Sequence, residues 1–361
     1  MRLKKTRNVS FNSPRRRITK PWVLVFGFLI AASTLFLWWA VGTELPREAE
    51  LEVARHAEFS EAQPKERLKI VSYNIAFGQG IKDSPLDWRD EAHTREKLAE
   101  VGAVIRRLDP DILFLQEVDL DSNRSHRINE ADYLVTQGSF PFSACAVVWD
   151  KNYVPFPFWP PQFHIGEIKT ANCILSKYPM SNHQRIIFDK PESNPFWYNW
   201  GYLDRGAQKA EIRIGTKTLH VVNLHLEAYE EEAREKQARL LLKWVDGVKG
   251  PLVLGGDFNA IPTGAKKIDG FHDEPEISYK TDTTLEIIKK GLGDFTEALP
   301  SSHCEIHERS CLTFRSDMPM RQLDHLFATR GAQFVTGNTD LDAGEASDHL
   351  PVVGMLEFSE Q

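Results

Sequence analysis

Hydrophobic and polar positions divide the chain into two parts. Residues 22–41, WVLVFGFLIAASTLFLWWAV, run for twenty positions without a charge. A helix of that length matches the hydrocarbon core of a bilayer. Beyond it the apolar positions fall into short runs. Residues 68–75, 111–115, 218–224, 251–254, 323–328 and 350–358 are rich in Val, Ile, Leu and Phe and bounded by turn residues, so they predict buried strands. Between them the period changes. Leu98, Val101, Ile105 and Leu108 make a helical stripe over 91–108, which Asp109-Pro110 stops. Ala233, Leu240, Leu241, Trp244 and Val248 make another over 230–248. Alternating strands and helices predict a layered α/β or α+β domain. Residues 43–66, rich in Glu, Ala and Arg, lack an apolar period and read as a spacer.

Charge gives the first part a direction. Arg2, Lys4, Lys5, Arg7, Arg15, Arg16, Arg17 and Lys20 precede the apolar run, and Glu44, Glu48 and Glu50 follow it. The positive-inside rule then puts the N-terminus in the cytoplasm and the bulk of the chain outside. The expected organisation is a basic cytoplasmic tail (1–21), a transmembrane helix (22–42), a linker (43–66) and a catalytic domain (67–361) in the periplasm or extracellular space. The competing reading is a cleaved signal peptide, although the apolar run is long for one and Ala40-Val41-Gly42 is a poor cleavage site. The run SPRRRITK has a faint likeness to a twin-arginine export signal. Residues 65–361 carry 34 Lys/Arg against 45 Asp/Glu. So acidic a domain argues against a broad nucleic-acid footprint, yet a bound divalent cation would still admit a polyanion. Of the four cysteines, Cys304 and Cys311 share the polar stretch SSHCEIHERSC. Outside the cytoplasm they could pair; a His303/Cys304/His307/Cys311 zinc site and free thiols are the alternatives.

The candidate chemistry collects where the apolar runs stop. Asn74 follows KIVSY, Glu117 follows DILFLQ, and Asn223 and His225 lie in VVNLHLE. Asp257 and Asn259 follow PLVLGG, Asp324 and His325 lie in RQLDHLFAT, and Asp348 and His349 precede LPVVGMLEF. Strand ends on one sheet edge are where sites form in layered α/β proteins. Carboxylates with asparagine and no thiolate suit a hard cation, magnesium or else manganese or calcium. Histidines beside them suit proton transfer near neutral pH. Together they suit attack of water on phosphorus.

The ordered segments SYNI, LQEVD, ANCILSKYP, NLHLEA, GGDFNA, LDHLF and SDHLPV resemble the endonuclease/exonuclease/phosphatase family, in its deoxyribonuclease I-like and sphingomyelinase-like branch. The resemblance implies an α/β four-layer sandwich, two packed β-sheets flanked by helices. It implies Glu117 as the main metal ligand, with Asn74 and Asp348 near it. It implies His349 as general base, Asp324 as the group that polarises it, and Asp257 and Asn259 as holders of water and phosphate. His225 would stabilise the transition state or protonate the leaving group, with Glu167 as a candidate partner. His325 reads as structural. The implied substrate is a phosphodiester, either phospholipid or nucleic acid. Two aromatic segments, 149–163 (WDKNYVPFPFWPPQF) and 195–202 (PFWYNWGY), read either as packed loops or as a lipid-facing rim. Arg124, His126 and Arg127 read either as a solvated loop or as a phosphate contact. Three functions remain: a phospholipase C- or sphingomyelinase-like enzyme, favoured slightly, an extracytoplasmic nuclease, and a silent surface-binding protein of the same fold.

Overall fold

A computed structural model describes residues 21–42, 44–84, 86 and 90–359. The basic tail and its SPRRRITK run lie outside the described residues. Helix α1 (Pro21–Ala40) ends two residues short of the expected span. It is long and apolar enough to cross a membrane, as a span or as a signal sequence. It and the body from Val41 onward are separate compact units.

The body begins with β1 (Glu48–Glu50), β2 (Ala54–Arg55), β3 (Arg67–Asn74), α2 (Glu91–Leu108), β4 (Ile112–Asp119) and α3 (Glu130–Gly138). Next come β5 (Phe142–Val154), β6 (Gly166–Ser176), β7 (Met180–Ile187), the single turn α4 (Phe196–Asn199), β8 (Gly206–Ile214) and β9 (Lys217–His225). Then follow α5 (Glu231–Val245), β10 (Leu252–Asp257), α6 (Thr284–Leu292), β11 (Phe295–Glu297) and the single turn α7 (Ser301–Cys304). The last strands are β12 (Asp324–Thr329), β13 (Ala332–Thr339) and β14 (Val352–Phe358). One sheet has the order β1-β7-β8-β9-β10-β12-β11, the other β13-β14-β3-β4-β6-β5-β2. The pairs β9–β10 and β3–β4 are parallel and sit at the sheet centres.

Alternation along each central strand builds three apolar layers. In β4, Ile112 and Phe114 point into the core between the sheets, while Leu113 and Leu115 face α2 and α3. In β10, Val253 joins the inter-sheet core and Leu252 and Leu254 pack under α5 and α6. The result is the expected four layers. Helix α2 starts at Asp90, whose side chain accepts from His93 N, and stops at Asp109 in the left-handed region, just before Pro110.

Residues 43–66 are not a free spacer. Glu48–Glu50 pair with Gln184–Ile186, and Ala54–Arg55 pair with Phe142–Ser143, so the segment adds an edge strand to each sheet. Edge strands this short and charged leave no apolar period to read. All four cysteines are paired, as Cys145–Cys173 across β5 and β6 and as Cys304–Cys311. The second bridge displaces the zinc alternative. Two disulfides are compatible with an extracytoplasmic body.

Candidate active site

The two parallel pairs point their C-terminal ends the same way. Asn74 ends β3, His225 ends β9, and Asp257 ends β10, while Asp324 opens the antiparallel β12 directly opposite Asp257. Glu117 reaches this end through a bulge in β4 between Leu115 and Val118, where its own φ is +56°. Asp348 and His349 arrive on the segment before β14.

Hydrogen bonds tie these groups together. His349 Nδ1 meets Asp324 Oδ2 at 2.8 Å, and His349 Nε2 lies 3.6 Å from Asp257 Oδ2. Asn74 Nδ2 donates to the same Asp257 oxygen at 3.0 Å. Asn259, itself at φ +50°, donates its N–H to Asp257 Oδ1 at 2.9 Å and its side-chain amide to Leu226 O at 3.0 Å. His225 Nε2 stands 3.3 Å from Asp257 Oδ2 and 3.9 Å from Glu117 Oε1. Ser347 Oγ donates to Asn74 O at 2.8 Å and so pins the segment that carries Asp348 and His349.

Burial sets the protonation states. It alone would lower the His349 pKa, but Asp324, Asp257 and Asp348 outweigh it and raise the imidazole to about 10. Burial raises Asp257 and Asp348 to about 6 each, with His349 opposing. Burial also raises Glu117, against Arg205, His349 and Arg124. His225 falls well below its ordinary value through burial, with the Arg205 and His349 cations adding to the fall.

Asn74, Glu117, His225, Asp257, Asn259, Asp324, Asp348 and His349 therefore lie together at this one end. The donor set fits a divalent cation. It is hard and anionic, Asp324 Oδ1 is buried without a hydrogen-bond partner, and Glu117 stands 3.8 Å from the Arg205 guanidinium. Asp257, Asp324 and His349 bring ligand atoms within 4.8 Å of one another. That tight group comprises residues assigned to catalysis, whereas Glu117, Asn74 and Asp348 were the expected ligands.

Other expectations change. Glu167 does not serve His225; it pairs with Arg127 at 2.6 Å on the surface. The neighbour of His225 is Arg205, whose guanidinium lies 2.6 Å from His225 Nε2 and 3.8 Å from Glu117. A lone arginine in a loop gave no sequence signal. Arg124 and Arg127 do not form an open cationic patch. Arg124 is held by both oxygens of Asp119 and stacks on Phe77, and Arg127 is held by Asp121 and Glu167. His325 is structural as expected. It is buried, bonds Ala260 O at 3.0 Å and stacks on Phe327.

Residues 71–349 match the endonuclease/exonuclease/phosphatase family. The chain belongs to that family. Its members are hydrolases of phosphoester bonds that typically use divalent metals. No curated protein sequence matches the chain. Among solved structures, an endonuclease/exonuclease/phosphatase from Beutenbergia cavernae DSM 12333 is similar with TM-score 0.56 and 22% identity, over 82% of this chain and 72% of that one. D. rerio TDP2 in complex with a single-strand DNA product gives TM-score 0.53 and 14% identity, over 81% and 100%. A mannosyl-6-phosphatase from Bacteroides thetaiotaomicron gives 0.52 and 16%, over 81% and 100%. At such identities these likenesses establish the fold alone.

Proposed function

We propose that this family member is a membrane-anchored, divalent-metal-dependent phosphodiester hydrolase that acts on a phospholipid or sphingomyelin-type ester outside the cytoplasm. The observation that carries hydrolysis is the His349–Asp324 pair at 2.8 Å, with Nε2 facing Asp257. Without a cation, Asp324, Asp257 and Asp348 keep His349 protonated. Once those carboxylates are offset by a bound divalent cation, Nδ1 would keep its proton on Asp324 and Nε2 would be free to take one from water. Asp257 and Asn259 orient that water and the phosphate. The water oxygen bonds to phosphorus, and the P–O bond to the leaving group breaks. Neutral His225 is placed to donate a hydrogen bond, with Arg205, to the charge that builds on the phosphoryl oxygens, and the departing oxygen takes its proton from solvent. A divalent cation held by Glu117, Asn74 and Asp348 would supply charge neutralisation at the phosphate.

Three features support a lipid substrate: the apolar N-terminal helix, the acidic body and the two aromatic segments. A second reading, an extracytoplasmic nuclease, is favoured by the paired His225 and His349, which resemble both the deoxyribonuclease and the sphingomyelinase branch. Salt separates them. Binding through many DNA phosphates weakens steeply as salt rises, so a salt-insensitive activity on vesicles supports the lipid reading. The replacement His349→Ala should lower turnover by about 100-fold or more with the fold intact. A His349→Ala variant with wild-type rates would refute the general-base role.

A further inference from the structure

Strand directions place more than the catalytic groups at one end of the sandwich. Gly206, the first residue of β8, pairs with His225, the last of β9, and also with Ile187, the last of β7. The β7–β8 connection, residues 188–205, is therefore at the active-site end. β4 runs toward that end, β6 runs back from it, and β5 runs toward it again. The β5–β6 connection, residues 155–165, is there too. These connections hold the second aromatic segment and residues 155–163 of the first, whose residues 149–154 belong to β5.

They expose apolar rings rather than bury them. Trp159 is 77% exposed, Phe196 73%, Phe158 58% and Trp197 56%. The segments touch, since Phe158 and Tyr198 have ring centroids 6.2 Å apart and Tyr198 meets Tyr202 at 5.5 Å. Tyr202 continues inward, with its hydroxyl donating to buried Glu227 at 2.6 Å. Four prolines, Pro155, Pro157, Pro160 and Pro161, stiffen the first segment. Lys151 and Lys190, the nearby amines, are both drawn onto Asp204, leaving the rim apolar rather than cationic.

The chain from α1 joins the body at this same corner. A Cβ added at Gly42 would come within 2.7 Å of Asn152 N, so residue 42 packs on the end of β5, where the first aromatic segment begins. Arg47 O accepts from Ile187 N at 2.7 Å, and Arg185 reaches Pro46 O at 3.1 Å, just before the second. Only Val41 stands between the last residue of α1 and Gly42.

We propose that the aromatic corner formed by residues 155–165 and 195–202 is a seat on the bilayer interface, which holds the active-site mouth against the membrane that α1 spans. The inference rests on the membrane-anchored reading and deepens it. Trp, Tyr and Phe favour the headgroup–acyl boundary. The opposite end, at the Gly215–Thr216 turn, stands a nine-residue strand away, about 30 Å.

The test uses the full chain reconstituted in phosphatidylcholine vesicles that contain lipid spin-labelled near the glycerol level. Trp159→Cys, Trp197→Cys and Thr216→Cys each carry a thiol-linked fluorophore, the native cysteines being paired. Flotation with the vesicles after a carbonate wash reports the anchor separately. A melting temperature within about 2 °C of the wild type reports folding. The expected result is quenching at positions 159 and 197 about threefold or more above that at 216, and little changed by high salt. Equal quenching at the three positions in floating protein overturns the seat and leaves the anchor standing. Failure to float overturns the anchor reading, and the seat falls with it.

Discussion

His349 is flanked by Asp324, Asp257 and Asp348, and this decides how the site responds to pH. The imidazole is held near 10, above its ordinary 6.5. In the metal-free protein its contribution to stability is full below pH 6.5 and is lost as pH rises through about 10. Asp257 and Asp348 are raised to about 6 by burial, so ionising them costs stability as pH climbs from their ordinary 3.8 through 6. A cation offsets that cost only once the carboxylates are ionised. Magnesium should therefore raise the melting temperature at pH 7.5 and have little effect at pH 5, and Glu117→Gln should shrink the shift at pH 7.5. A magnesium shift of equal size at both pH values would contradict this assignment of the ligands. The residues involved were legible because each breaks an apolar run at its end. Arg205 was not, because an arginine between two strands carries no periodic signal. Glu167 was misplaced because a carboxylate's partner depends on loop packing.

Among the elements, the β4 bulge links stability to the site. It turns Glu117 toward the active-site end, and the Leu115 and Cys173 carbonyls beside it accept from Asn223 Nδ2 at 2.9 Å each. Gln116 Nε2 returns a bond to Asn223 Oδ1 at 2.7 Å, so one buried amide of β9 ties the two sheets together. Asn223→Ala would leave those groups unpaired and should cost about 2–3 kcal/mol in urea unfolding. A change within about 0.5 kcal/mol would show that the amide bridge is dispensable. The Cys145–Cys173 bridge closes a loop of separation 28 that contains the first aromatic segment. Replacing both cysteines with serine should cost about 3.5 kcal/mol in urea unfolding by the loop-entropy argument. The central strands were readable because both their faces are buried, giving unbroken apolar runs. β5, β6, β7, β8, β11 and β13 were missed. Sequences such as MSNHQRII and QKAEIRI mix charge into the outer strands, and register rather than composition makes them strands.

For the whole molecule, the two disulfides are compatible with an extracytoplasmic body, and the apolar helix is long enough to be a membrane span or a signal sequence. If the body is outside the cytoplasm, its cysteines should be oxidised in the cell. Chain from acid-quenched cells, denatured and treated with a thiol-reactive polymer, should gain no mass without reductant and four additions with it. Free thiols before reduction would argue for a cytoplasmic body. The layered fold was legible through the family motifs, but the edge strands at Glu48–Glu50 and Ala54–Arg55 were not. A truncation that begins at residue 65 would strip one strand from each sheet, so the hydrolytic unit is tested with the whole chain.

The most direct measurement is hydrolysis by the full chain with magnesium and then with EDTA, offered mixed phospholipid–sphingomyelin vesicles and plasmid DNA in parallel, with His349→Ala as control. Release of phosphorylated headgroups that needs the metal and disappears in the variant is the predicted result. Nicking of DNA alone would keep the chemistry and overturn the lipid substrate, and no hydrolysis of either diester would contradict the enzyme itself.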